Sequence, residues 1–307
     1  MTGVRLGFGL PVSGSWATPE AMVRYARRAE GLGYASLWTF QRLLHPADGD
    51  WGPMYRSVHD PIVTLAHVAA VTERARLGIA IVNAPFVAPI VLAKQLTTLD
   101  AVSGGRLDAG LGLGWSPEEF AATGVPYERR GARVEEFIGC LKAIWGDDPV
   151  AFDGEFYRVP PALVDPKPVQ RPHPPVLLGG AAAPALRRAG RLADGWISAS
   201  RHDLTRIGAA ITEVKEAARA AGRDPERLRF IVRGVVHLDD PQPHDGGRRP
   251  LSGSAAEIRG DLDALGDHGV TEVFLDPNFN PRIGSPDADP AEADRLATNI
   301  LETFAPG

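Results

Sequence analysis

The chain alternates strand-like and helix-like segments from end to end, and this alternation restricts its fold more than any other feature. Short apolar runs typical of buried strands are separated by amphipathic stretches of helical length. The strand-like runs are 4–10, 35–39, 77–82, 107–113, 176–178, 195–199, 229–238 and 272–275. An open doubly wound sheet uses about six strands, so this number favours a closed (β/α)8 TIM barrel of the α/β class.

The helix starts carry their own signals. Thr18-Pro19-Glu20 and Asp60-Pro61 each combine a capping side chain with a proline at the first helical position. Helices are therefore expected from residue 19 to about 32 and from 61 to about 73. The remaining helical stretches are 88–99, 130–145, 182–192, 204–221, 255–267 and 291–304.

The stretch 146–175 interrupts this alternation. It contains eight prolines and the turn-like sequence Phe152-Asp153-Gly154-Glu155-Phe156-Tyr157. We interpret it as a hairpin and an extended segment inserted after the fourth strand. No shift in composition divides the rest of the chain, so we expect one domain over residues 1–307.

Composition excludes several classes of function. The formal net charge of −5 argues against non-specific nucleic-acid binding, which needs a basic surface. No apolar run approaches the length of a membrane span, and the first residues do not resemble a signal peptide. The single cysteine, Cys140, cannot form an intrachain disulfide. We expect a cytoplasmic protein that binds neither membranes nor nucleic acid.

Several common catalytic motifs are missing. The histidines are scattered without metal-ligand spacing, so no metal site is predicted. Neither a G-x-S-x-G elbow nor a phosphate-binding P-loop occurs. The four lysines, Lys94, Lys142, Lys167 and Lys215, all fall in helix or loop stretches, which disfavours the Schiff-base chemistry of barrel lyases.

The fourth strand is rich in glycine. Gly110, Gly112 and Gly114 alternate, so they share one face, and that face lacks side chains. Such a face accommodates either a flat ligand or a closely packed neighbouring backbone. Trp115 and the acidic pair Glu118-Glu119 follow directly.

Barrel active sites lie where the strands end. Gln41 and Arg42 follow the second strand, Asn83 the third and Ser198 the sixth. After the fifth, Gly179-Gly180 leads straight into a helix, which makes either an anion-binding turn or an ordinary tight turn. Together these ends suit an aromatic cofactor with a phosphate tail better than a small polar metabolite.

In its ordered motifs the chain resembles the bacterial luciferase-like oxidoreductases, whose members use FMN or the deazaflavin coenzyme F420. The resemblance extends over nearly the whole chain and is strongest to the F420-dependent enzymes of actinobacteria. The shared motifs are at 33–38, 77–82, 103–107, 110–120, 130–133, 152–157, 166–172, 175–180 and 193–196.

The resemblance implies a barrel with an insertion after strand 4 and a homodimer. It also implies a non-prolyl cis peptide at Ala80-Ile81, forming a bulge behind the flavin ring. The cofactor is expected to be F420, with FMN as the alternative. The residues that would bind it are Phe8, Trp38, Ala80, Ile81, Asn83, Gly112, Gly114, Trp115, Gly179, Gly180 and Ser198.

Two positions depart from the related enzymes. Many F420-dependent relatives carry Asp-His where this chain has Gln41-Arg42, and the sugar-phosphate dehydrogenases carry Glu where it has Trp115. Glucose 6-phosphate oxidation is therefore not expected. Arg42 stays protonated and cannot be a general base, but it could stabilise negative charge or form a structural ion pair. Glu118 or Glu119 could serve as acid/base, or simply as helix-start carboxylates.

The resemblance therefore predicts an F420-dependent oxidoreductase that transfers a hydride between the cofactor and a small organic substrate. Gln41, Arg42 and Glu118 are the predicted catalytic residues. Phe40, Arg42, Trp115 and His202 are expected to surround the substrate. The alternatives are an FMN-dependent two-component monooxygenase and a non-catalytic flavin- or deazaflavin-binding protein.

Overall fold

The computed structural model describes residues 3–245 and 247–306 and contains a closed parallel barrel, which confirms the predicted (β/α)8 fold. Each barrel strand pairs in parallel with its neighbours, and the last strand closes the sheet onto the first through Gly7↔Phe274 and the adjoining pairs. The barrel strands are β1 (Arg5–Gly9), β2 (Ser36–Thr39), β3 (Arg76–Ile79, resumed at Val82–Asn83), β4 (Leu107–Gly112), β5 (Val176–Gly179), β6 (Gly195–Ile197), β7 (Arg229–Gly234) and β8 (Glu272–Leu275).

The helices surround this barrel. They are α1 (Pro19–Gly31), α2 (Pro61–Ala69), α3 (Pro89–Val102), α4 (Pro117–Thr123), α5 (Arg130–Trp145), α6 (Ala183–Leu192), α7 (Ile207–Ala220), α8 (Ala255–Asp267), α9 (Pro281–Gly284) and α10 (Pro290–Thr303). Thr18 and Asp60 cap α1 and α2 as predicted, each accepting hydrogen bonds from first-turn N–H groups. Across the described ranges, no helix is long and apolar enough to cross a membrane.

Strand β3 is broken near its end. The peptide between Ala80 and Ile81 is cis, as the resemblance implied. Pairing with β4 resumes beyond this point, at Val82↔Leu111 and Asn83↔Gly112. The break therefore lies at the mouth of the barrel, next to the glycine-rich strand.

The insertion lies between α5 and β5, after the fourth strand as predicted. Its core is an antiparallel hairpin formed by Val150–Asp153 and Arg158–Ala162. The carboxylate of Glu136 on α5 accepts hydrogen bonds of 2.7–2.9 Å from the backbone N–H groups of residues 155–157. One side chain thus fastens the hairpin turn to α5.

The N-terminal end of the barrel contains a buried ion network. Arg76 and Arg229 each place a guanidinium nitrogen 2.6 Å from the fully buried carboxylate of Asp108. Arg229 also lies 3.2 Å from Glu272. All four residues stand at or next to the first residue of their strands, so the network fills the end opposite the strand termini.

Above this network the aromatic rings of Trp38 and Phe274 stack inside the barrel with their centroids 4.9 Å apart. The Trp38 indole N–H donates to Ser36 Oγ at 2.7 Å. Both rings belong to a compact apolar cluster that also contains Leu177 and Ile231. This cluster forms a floor between the ion network and the mouth of the barrel.

Candidate active site

A cavity of about 520 Å³ opens at the C-terminal ends of the barrel strands. Its position is the one at which TIM-barrel enzymes place their active sites. The lining residues are Phe40, Gln41, Arg42, Tyr55, Ala80, Ile81, Asn83, Gly112, Leu113, Gly114, Trp115, Arg130, Gly179, Gly180, Ala181, Ala182, Ala185, Ile197, Ser198, Ala199, Ser200, Arg201, Arg233 and Phe279. Most of the predicted site residues are in this set, so the structure brings them together.

Phe8, Trp38 and Glu118 do not line this cavity. The Phe8 ring packs against Tyr25 of α1 and Tyr34, because Phe8 points out of the barrel towards the helices. Trp38 lies in the floor beneath the cavity. Glu118 is exposed on the first turn of α4, where its carboxylate accepts a 2.7 Å hydrogen bond from Ser116 Oγ. His202, expected near the substrate, instead packs its ring against Trp196.

The glycine face of β4 is occupied mainly by the neighbouring strand. A Cβ on Gly110 would lie 1.8 Å from the carbonyl oxygen of Ile79, and one on Gly112 would lie 2.3 Å from Ile81 Cδ1. A Cβ on Gly179 would also meet the Ile81 side chain, at 3.1 Å. Of the two sequence interpretations, close approach of another backbone applies at Gly110, while Gly112 and Gly114 reach the cavity wall.

One end of the cavity is suited to an anion. Gly180 has a φ of +137°, and its turn leads to α6. The N-cap residue of α6 is Ala182, which has no polar side chain to cap the helix. The first turn of α6 presents the positive end of the helix dipole to this end of the cavity, although Pro184 has no N–H group and the N–H of Ala185 already donates to the carbonyl oxygen of Ala182 at 2.8 Å. Arg130 and Arg201 line the same cavity.

At the opposite side, Arg42 forms a buried ion pair. Its Nε lies 3.4 Å from Oε1 of Glu119, and the two side chains are 6% and 0% exposed. The same Glu119 oxygen accepts a 2.8 Å hydrogen bond from the backbone N–H of Leu43, which fixes the loop after β2. Burial lowers the pKa of Arg42, while the charge of Glu119 opposes that shift, so the guanidinium remains protonated near neutrality.

Three aromatic rings enclose the Arg42 guanidinium. Its carbon lies 4.8 Å from the ring centroid of Trp115 and 5.4 Å from those of Trp51 and Tyr55. These distances are within the range of cation–π attraction. The ion pair and the rings together hold Arg42 in one position at the cavity wall.

The base of the cavity contains a second buried arginine, Arg233 of β7. Its Nη2 donates to the carbonyl oxygen of Ala80, and its Nε lies 3.4 Å from Oδ2 of Asp276. Burial lowers the pKa of Arg233 and raises that of Asp276. Sequence reasoning missed Arg233, although an arginine following the apolar run Phe230-Ile231-Val232 was an available signal.

No group of three or more His, Cys, Asp or Glu side chains arranged to hold a metal ion occurs in residues 3–245 and 247–306. The chemically distinctive groups of the cavity are instead arginines and aromatic rings.

The closed parallel barrel, with its cavity at the C-terminal ends of the strands, places the protein among the (β/α)8 barrels. The chain belongs to the luciferase-like monooxygenase family, whose model matches residues 4–243.

Among curated relatives, the chain is 35% identical to a Mycobacterium tuberculosis protein of unassigned function over 243 residues, covering 75% of this chain and 84% of the relative. It is 34% identical to an FMNH2-dependent dimethylsulfone monooxygenase of Pseudomonas putida, covering 65% of this chain and 60% of the relative. It is 30% identical to an F420-dependent glucose-6-phosphate dehydrogenase of Amycolatopsis mediterranei, covering 72% and 67%.

Solved structures share the fold at lower identity. The monooxygenase RslO1 of Streptomyces bottropensis superimposes with a TM-score of 0.77 at 23% identity, over 98% of this chain and 99% of that one. The coenzyme F420-dependent tetrahydromethanopterin reductase of Methanopyrus kandleri gives 0.75 at 18% identity, over 99% and 98%. A monooxygenase and an F420-dependent reductase therefore both have this fold.

Proposed function

We propose that the protein is an F420-dependent oxidoreductase that transfers a hydride between the deazaflavin and a small organic substrate. The observation that carries the proposal is the charge of the cavity wall. Its charged side chains, among the described residues, are Arg42, Arg130, Arg201 and Arg233, all cationic. Arg42 and Arg233 pair with buried carboxylates, so the cations available to a cofactor tail are Arg130 and Arg201. FMN carries one phosphate, whereas F420 carries a phosphodiester and further carboxylates, so this cationic end favours F420.

A buried donor in the cavity wall also supports a cofactor of this kind. Asn83 is almost fully buried, and its Nδ2 has no hydrogen-bond partner among the described residues, which leaves its two N–H groups to donate to a ring oxygen or nitrogen. Ala80 and Ile81 would lie behind the ring, and Gly179 and Gly180 would place the phosphate at the α6 N-terminus. The cofactor supplies the redox chemistry when bound, and Arg42 and Arg233 stabilise negative charge beside it.

Titration of the purified protein with F420 and with FMN tests this proposal, together with the same ring systems lacking their phosphate tails. We expect F420 to bind more tightly than FMN, and both phosphorylated forms to bind more tightly than the truncated ones. Micromolar binding of FMN alone would instead favour the monooxygenase function, which the Pseudomonas relative supports. Tight F420 binding without turnover of any substrate would favour a carrier.

The variant Arg201→Gln distinguishes the contribution of the cofactor tail to binding from that of the ring. Arg201 is exposed at the cavity edge, and loss of one such contact is expected to weaken F420 binding about 3- to 10-fold. Affinity for the tail-less ring should not change. Arg187→Gln is the matched control, because Arg187 lies on α6 but pairs with Glu213 at the surface. Equal losses for tailed and tail-less ligands would contradict the assigned orientation.

We further propose that residues 1–307 act as one domain and that the protein is a homodimer. Exposed apolar side chains on neighbouring helices, Val63 of α2 and Ile90 and Val91 of α3, support self-association. Light scattering of the purified protein measures the mass directly. A mass of 32.8 kDa, that of one chain, would contradict the dimer.

A further inference from the structure

We propose that the Arg42 side of the cavity binds an anionic oxygen carried on a flat, apolar molecule. The inference rests on the proposed function for its claim that this molecule is the substrate. The substrate class is then an aromatic or conjugated compound with a carboxylate, phenolate or enolate oxygen. Three independent features of the wall lead to this class.

The first feature is an unused donor. A guanidinium has five N–H groups, and Arg42 uses its Nε towards Glu119 and the carbonyl oxygen of Gln41, both at 3.4 Å. Its Nη1 is buried and finds no hydrogen-bond partner in the described chain. A buried charged donor without a partner is costly, and a ligand oxygen on the cavity side would satisfy it.

The second feature is the aromatic wall around this donor. Tyr55 and Trp115 line the cavity and also flank the guanidinium. Phe279 continues the wall, with its ring 5.6 Å from Tyr55 and 5.0 Å from Phe40. Rings that meet at such distances and angles pack well against a planar apolar body.

The third feature is charge selection. The carboxylates nearest to this wall, Glu119 and Asp276, are buried behind the arginines that they pair with and do not line the cavity. A cationic ligand would therefore meet only guanidinium groups, and a neutral hydrocarbon would leave Nη1 without an acceptor. An anionic oxygen complements both the positive charge of the guanidinium groups and the unpartnered Nη1 donor.

Glu119 has a separate, positioning role. It does not touch the cavity, but it holds Arg42 by the ion pair and the loop after β2 through Leu43. Removal of the Glu119 charge should make the position of the Arg42 side chain less fixed, while the wall should still prefer anionic ligands. Glu119→Gln is thus expected to weaken anion binding less than loss of Arg42 itself.

Calorimetric titration with a matched set of naphthalene probes tests the inference. The set is 2-naphthoate, its neutral methyl ester and the cationic 2-naphthylmethylammonium, each added to the protein with and without saturating cofactor. We expect 2-naphthoate to bind at least 10-fold more tightly than the ester, because hydrogen bonds to charged groups are the stronger ones, and the cation to bind most weakly. Equal binding of the three probes, or no binding of the anion to cofactor-loaded protein, would overturn the inference.

Variants identify the residue responsible. Arg42→Gln should weaken 2-naphthoate binding about 10- to 100-fold and leave the ester unaffected. Trp115→Ala removes a ring that is 49% exposed and should weaken the binding of both 2-naphthoate and its ester. Arg28→Gln is the control, since Arg28 pairs with Glu302 on the outer surface. Unchanged 2-naphthoate affinity in Arg42→Gln, or equal losses for acid and ester, would overturn the assignment to Arg42.

Arg42→Gln leaves the charge of Glu119 buried and unpaired, which destabilises the fold. The double variant Arg42→Gln/Glu119→Gln removes both charges, so the effect on anion binding can be measured in a folded protein. A folded double variant that still prefers the anion would equally overturn the inference. The outcomes also separate the two proposals. Arg42-dependent anion binding in a protein that binds neither F420 nor FMN would refute the proposed function and retain the anion site.

Discussion

The side-chain Oε1 of Gln41 accepts a 2.9 Å hydrogen bond from the backbone N–H of Asn83. This bond joins the loop after β2 to the resumed part of β3, immediately beyond the cis peptide. Gln41 stands where many F420-dependent relatives are expected to carry an aspartate. Here the side chain orders two edges of the cavity, and no proton transfer is needed to explain its position.

Replacing Gln41 tests this positioning role. Gln41→Leu leaves a buried N–H without an acceptor and is expected to lower the free energy of unfolding by about 1–3 kcal/mol. Gln41→Glu retains an acceptor oxygen, so its free energy of unfolding should fall by less. Urea unfolding of the two variants measures the difference. Equal losses would mean that the Asn83 hydrogen bond does not matter.

Arg233 should influence the reduction potential of the bound cofactor. Reduction adds negative charge to the ring, and a cation buried at the base of the cavity stabilises it. Arg233→Met is expected to lower the potential by roughly 30 mV, about 1.4 kcal/mol for a two-electron couple. Asp276 can take up a proton when its partner is lost, because burial already raises its pKa.

Spectroelectrochemical titration measures this potential, and Arg28→Gln supplies the control at a remote surface pair. An unchanged potential in a folded, cofactor-loaded Arg233→Met protein would show that Arg233 acts only as a support for the Ala80 carbonyl.

The ion network at the opposite end should govern stability. Asp108→Asn breaks a fully buried interaction with Arg76 and Arg229 and is expected to cost about 3–5 kcal/mol. Asp153→Asn breaks an exposed pair with Arg158 and should cost less than about 1 kcal/mol. Denaturant unfolding compares the two. Similar losses would contradict the assigned importance of burial.

The same carboxylate predicts a dependence on pH. Burial would raise the pKa of Asp108, but the hydrogen bond from Arg76 and the charge of Arg229 outweigh it and hold the pKa below its ordinary value. Its contribution is therefore fully present above the unfolded-state pKa of about 3.9 and is lost as the pH falls through the folded-state pKa. The stability gap between wild type and Asp108→Asn should be constant near neutrality and shrink below about pH 4. A gap that widens on acidification would contradict this sign.

Two glycines provide a matched test of backbone packing. In Gly110→Ala the new methyl would lie 1.8 Å from the Ile79 carbonyl oxygen, and we expect a loss of about 3 kcal/mol or more. Gly260 on α8 has nothing within 4 Å of the same position, so Gly260→Ala should stabilise the protein by about 0.5–1 kcal/mol. Thermal and urea unfolding check both signs.

Strand and helix periodicity was sufficient to predict the barrel and the site of its insertion, because both depend on local patterns. It could not decide which face of β1 points inward. The two-residue period groups Gly7 with Gly9 and opposes them to Phe8, but it does not say which set is internal. A Cβ on Gly7 would collide with Ser36 and Trp38, so the glycines face the crowded interior and Phe8 faces the helices.

The cavity residues at strand ends were predictable because all these ends meet at one rim. Glu118 and Glu119 were not distinguishable, since neighbouring residues on a helix differ by about 100° in direction and α4 is too short to show a period. The charge of Arg233 beside an apolar run is visible in the sequence, but its position at the base of the cavity depends on the register of β7 against β8, which pairs it with Phe274. Long-range pairings of that kind are not written in any local pattern.

The floor made by Trp38 and Phe274 separates the residues of the ion network from those that line the cavity. Below it, most substitutions threaten the persistence of the folded chain. Above it, Gln41 and Glu119 still hold the loops together, but exposed side chains at the cavity edge such as Arg201 contribute to recognition more than to stability. A mutagenesis library confined to the exposed positions at the cavity edge should consequently retain mostly folded members. New substrate specificities can then arise there without changes to the barrel.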